Sequence, residues 1–166
     1  MNPVLKYTEL DSTPFIERAP IRFFDNLQGN LYFQGWAGST IPGASLPSSS
    51  INNPQDMFVI DIFGDGSLRP LMLGYGFDWK GTYAAGKYFD IVIYPNLRSF
   101  NVSWIIVKWV DTNGNGFVNN PGDGDSYSVV AAGECMERTV YVQNAVSKPH
   151  TGTSWFLCLI STRGLG

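Results

Sequence analysis

The chain carries one apolar run that ends abruptly, and that junction narrows the possible folds more than any other stretch. From Phe100 it reads Phe-Asn-Val-Ser-Trp-Ile-Ile-Val-Lys-Trp-Val110, then turns polar in Asp111-Thr-Asn-Gly-Asn-Gly116 and Asn119-Asn-Pro-Gly-Asp-Gly-Asp125. Phe100, Val102, Trp104 and Ile106 alternate with Asn101 and Ser103, which is the period of a strand. After Trp104 the phase shifts, and Ile105, Val107 and Trp109 become the apolar set against Lys108. The strand is therefore either covered on both faces or bulged. β-branched residues crowd a helix, and no capping box opens the run.

The rest of the chain repeats the theme in shorter pieces. Strands are expected at 3–10, 20–25, 30–34, 56–63, 67–75, 126–132, 136–143 and 154–161, separated by Gly, Pro, Asn and Asp. Residues 77–80 and 81–86 read as a further short strand and turn. Residues 87–94 read as a strong strand with Phe89, Ile91 and Ile93 inward. Gly64-Asp-Gly-Ser67 suits a tight hairpin turn. About ten short strands and no convincing helix predict an all-β chain, an antiparallel β-sandwich of jelly-roll type. A single domain spans 1–166, with 1–12 and 35–55 as arms or long loops.

Charged residues make up only 15% of the chain, the net charge is −3, and there is no Lys/Arg run. The electrostatic footprint of a nucleic-acid binder is therefore missing. No apolar stretch approaches the length of a membrane span. Residues 1–10 lack a basic region followed by an apolar one, so no signal peptide is expected.

Asp111, Asn113, Asn115, Phe117 and Asn119 fall at loop positions that ligate calcium, with Gly116 at the bend. The loop resembles those of the EF-hand and dockerin families, and that resemblance implies a bound calcium ion. Position 12 departs from the pattern: it is Gly122, so Asp123 or Asp125 would have to supply the missing carboxylate. Asp, Asn and Gly also make turns well without an ion. Cys135 and Cys158 lie on the last two expected strands, where a disulfide is geometrically possible, as are two buried thiols. Asn101-Val-Ser103 is a glycosylation sequon inside the expected central strand. His150 is the sole histidine, and no nucleophile elbow, P-loop or dinucleotide fingerprint occurs, so no enzyme activity is expected.

In overall character, with its run of short strands, its Gly/Ser/Pro connector and its Met1, the chain resembles single jelly-roll viral capsid proteins. That resemblance implies a structural subunit that assembles with copies of itself in a virion. Trp36, Ile41, Leu46 and Ile51 on the connector are the expected assembly contacts. Two alternatives stand beside it. One is an extracellular or cell-surface filament or pilus subunit that donates a strand. The other is a carbohydrate-binding β-sandwich using exposed Trp and a calcium loop.

Overall fold

The computed structural model describes residues 19–35, 38–64 and 70–133. The expected strands at 3–10, 136–143 and 154–161, the turn after Gly64, Trp36, His150 and the Cys135–Cys158 pair lie outside the described residues.

Strands β1 (Ile21–Asp25), β2 (Asn30–Gly35) and β3 (Thr40–Pro47) form one antiparallel sheet in the order β1-β2-β3. Strands β4 (Gln55–Gly64), β5 (Pro70–Gly76), β6 (Trp104–Val110) and β7 (Ser126–Gly133) form a second, in the order β5-β4-β6-β7. Every pairing between these strands is antiparallel. β6 lies in the interior of its sheet, and both readings of its phase shift hold. Ile105, Val107 and Trp109 feed one apolar cluster and Ile106 the other, while the register against β7 slips between Ile106 and Val107. The strand begins at Trp104, later than the alternation from Phe100 predicted.

Alternation along β4 sorts the core. Met57 and Val59 join Ile21, Phe33, Ala44, Leu46, Tyr75 and Ile106 in a cluster drawn from both sheets. Phe58 and Ile60 point the other way, into a cluster with Ala84, Ala85, Tyr88 and Ile93. Each fully buried large side chain of this kind contributes about 1.5–3 kcal/mol by leaving water, so both faces of β4 are covered by what packs on them.

The second cluster lies between the sheet and a helix, so the described chain is mostly antiparallel strand, as expected, but with one helical segment where none was expected. Helix α1 (Trp79–Tyr88) continues through a π-helical turn, Phe89–Ile93, and a 3-10 turn, Tyr94–Asn96, giving one helical segment of 18 residues. The strand expected at 87–94 is thus helical, as is 79–86 of the strand and turn expected at 77–86, while residues 77 and 78 form the bend that leads into the helix. Gly81, Ala84, Ala85 and Tyr88 are buried at helical spacing, and burying that face outweighs the β preference of Ile91, Val92 and Ile93. Asp78 caps the start, its side chain accepting from the Trp79 N–H at 2.7 Å. The helix enters very close to β5: a Cβ on Gly76 would lie 2.4 Å from the Gly81 backbone.

Residues 35–55 are not one long loop. They hold β3 and a 3-10 turn, Ser48–Ser50. Ala44 and Leu46 are buried in the cluster shared by the two sheets, and Ile41 and Ile51 pack against it.

Candidate functional site

Three structural pieces meet on the helix side of the four-stranded sheet. They are the rim loop 111–125, the start of α1, and the outward face of the helical segment.

The rim loop is tied together by its own side chains. The two carboxylate oxygens of Asp111 accept from the Gly114 and Gly116 N–H groups, each at 2.8 Å. Asn113 Oδ1 accepts from the Asn115 N–H at 3.0 Å, and Asn115 Oδ1 from the Phe117 N–H at 2.8 Å. Gly114 and Gly116 sit at φ of 69° and 78°, the left-handed region that the tight winding requires. Asp125 Oδ2 accepts from Trp109 Nε1 at 2.7 Å and from the Asn119 N–H at 2.7 Å, and its Oδ1 takes Asn119 Nδ2 at 3.1 Å. Tyr127 donates its hydroxyl to the Asn119 carbonyl at 2.6 Å. Burial, then the Asp125 carboxylate and Tyr83, push the Tyr127 phenol well above its ordinary range.

The structure holds Asp111, Asn113, Asn115, Phe117, Asn119, Asp123 and Asp125 in one loop, whose carboxylates are engaged with the chain's own nitrogens. Both oxygens of Asp111 and of Asp125 already accept from nitrogens of the chain. Asp123 takes Asn120 Nδ2 at 3.1 Å. Among the described residues no three Asp, Glu, His or Cys side chains are grouped as a metal would need. The calcium ligation implied by the resemblance finds no support in this geometry. Asn101 is exposed and lies ahead of β6 rather than within it, so the sequon is not buried in the sheet.

Asp56 organises the start of the helix. It is fully buried on β4, opposite Trp109 of β6. Its carboxylate accepts from Met57 N–H at 2.7 Å, Gly81 N–H at 2.9 Å and Asp78 N–H at 3.3 Å. It thus satisfies N–H groups in the first turn of α1 that have no partner within the helix. Burial pushes its pKa up to about 6, against the pull of those donors. Lys80 Nζ donates to the Asn52 carbonyl at 3.1 Å and lies 5.8 Å from the Trp109 ring centre, and Asn52 Nδ2 donates to Asp78. A polar chain thus runs from Asp125 through Trp109 and Lys80 to the helix cap.

The outward face of the helical segment is aromatic. Trp79 is 60% exposed, Tyr83 56% and Tyr94 63%, and Ile91 is also exposed. Trp79, Thr82, Tyr83, Gly86, Lys87 and Asp90 line a shallow cleft that lies mostly open to solvent. Lys87 lies over the Tyr83 ring at 5.2 Å and donates to Asn120 of the rim loop at 2.8 Å, which fastens loop to helix. Phe117 of that loop is 72% exposed.

These helix residues lie in a segment whose β-branched content predicts a strand. Their signals were present: Asp78 as a cap, and apolar or small residues at 81, 84, 85 and 88. Ile41, Leu46 and Ile51, expected at a subunit contact, are placed in or against this chain's own core. Comparison with family models, with curated proteins and with solved structures finds no significant match to the chain.

Proposed function

We propose that this chain is a structural subunit that assembles with copies of itself, as the coat of a virion does. The observation that carries the reading is the stripe of exposed aromatic side chains, Trp79, Tyr83 and Tyr94, along one helical segment. Large aromatic groups left in water on a firmly packed element mark contact surfaces, because burying them anchors association. The low charge of the chain supports the reading, since charge is costly to bury at an interface. The two antiparallel sheets, taken as the halves of a sandwich of jelly-roll type, supply a rigid body that presents the stripe. No helix among the described residues is long and apolar enough to cross a membrane.

The test is a double substitution, Trp79→Ser with Tyr83→Ser. The variant should keep the far-ultraviolet dichroism and melting temperature of the parent and lose its assemblies in light scattering and electron microscopy. Assemblies identical to the parent's would defeat the proposal.

One observation favours a second reading. The same cleft sets aromatic faces beside the hydrogen-bonding groups of Thr82, Lys87 and Asp90, the combination a sugar site uses. Glycan-array binding that is lost in the same variant, from a chain that stays monomeric, would select it.

A further inference from the structure

We propose that the Asp111 carboxylate guards the rim loop against a chemical modification, the deamidation of Asn113 and Asn115. The sequence places two Asn-Gly bonds side by side, Asn113-Gly114 and Asn115-Gly116. At such a bond the glycine nitrogen attacks the side-chain carbonyl carbon of the asparagine, unhindered by a Cβ. The new bond is N–C, the bond that breaks is C–NH₂, and the proton lost by the glycine nitrogen leaves with ammonia. Water then opens the cyclic imide on either side, to aspartate or to isoaspartate.

Both attacking nitrogens are held by one side chain. The Gly114 N–H donates to one oxygen of Asp111 and the Gly116 N–H to the other, each at 2.8 Å. Attack requires each nitrogen to release its proton and swing toward the asparagine carbonyl. A carboxylate on that proton opposes both steps, because negative charge would grow beside an anion and a charge-assisted hydrogen bond must break. The electrophiles are restrained as well. Asn113 and Asn115 each spend their Oδ1 on a backbone N–H two residues on, which fixes the orientation of the side chains. Asp111 is itself buried at the end of β6, with its N–H bonded to the Pro54 carbonyl at 2.8 Å, so the guard is anchored outside the loop that it protects.

The loop has a shape worth guarding. It carries Val118 into the core and Asn119 to Asp125, which holds Trp109. Isoaspartate at 113 or 115 would add a methylene to the main chain within that circuit.

The test follows deamidation at each site by peptide mass spectrometry during mildly alkaline incubation of the full chain. Four samples are compared: native parent, parent in denaturant, Asp111→Ala and Asp111→Asn. The native parent should react at both sites roughly tenfold or more slowly than the unfolded chain, the scale set by one charged hydrogen bond. Asp111→Ala should release both sites, and Asp111→Asn, which keeps one acceptor oxygen, should release them less. Amide exchange of Gly114 and Gly116 in the parent should be slow, and it decides the matter should the alanine variant not fold. Native and unfolded parent reacting alike, a folded Asp111→Ala as slow as the parent, or fast exchange at both glycines would overturn the proposal.

Discussion

Asp56 shows how one buried side chain links stability to pH. Its ordinary value of 3.8 is raised to about 6 by burial. Between those values the folded chain holds a proton that the unfolded chain has released, so stability falls as pH rises through this window and levels off above it. The total change is up to about 3 kcal/mol. Denaturant midpoints measured from pH 4 to 7 should show that slope, and Asp56→Asn should flatten it. The same variant should also lower stability at neutral pH, because an NH₂ group would face backbone N–H donors. Asp125 makes a complementary case. It is buried and accepts three hydrogen bonds, one from Trp109 Nε1 in the core. Asp125→Ala should cost roughly 2–4 kcal/mol in urea unfolding, since the indole N–H and the Asn119 amide lose their acceptor. Asp123→Ala, at an exposed position in the same loop, should change stability by less than about 0.5 kcal/mol.

Helix α1 is where local preference and packing disagree, and its glycines report on both. A Cβ at Gly81 would lie 2.7 Å from the Asp56 carboxyl carbon, whereas one at Gly86 meets nothing within 4 Å. Gly81→Ala should therefore cost about 1–3 kcal/mol by overpacking, although alanine is the better helix former. Gly86→Ala should stabilise by about 0.5–1 kcal/mol, and thermal melts of the pair should move in opposite directions. The same conflict explains what the sequence made legible. β4, β6 and β7 were readable because alternation and β-branched content point the same way as their packing. In the helical segment Ile91-Val-Ile93 spoke for a strand, while the buried spacing 81, 84, 85, 88 spoke for a helix, and tertiary burial decided. β3 holds Pro42, Pro47 and a left-handed Gly43, so it carries no strand signal and exists through its pairing with β2. The rim loop was legible as a tight Asp/Asn/Gly winding. Its fastening to Trp109 was not, because a bond between side chains 16 residues apart leaves no local pattern.

At the scale of the whole molecule, the side of the four-stranded sheet away from β1–β3 ends in water as an aromatic stripe, and the proposed assembly places a second copy there. Gly86 lines that cleft with an exposed backbone, so it can take a side chain without disturbing the core. Gly86→Glu should leave the melting temperature at or above the parent's, because glutamate forms helix better than glycine. It should nonetheless block assembly, since the carboxylate would have to lose its water between apolar surfaces. Gly86→Ala separates the two effects: it should share the gain in stability and still assemble. Salt supplies an independent readout. Contacts made by burying aromatic surface should strengthen in sulfate and respond little to sodium chloride, the reverse of contacts held by ion pairs. Sedimentation of the three chains in both salts gives the answer. Should Gly86→Glu sediment as the same large species as the parent, the helix face is not the contact, and the subunit joins its neighbours through another surface.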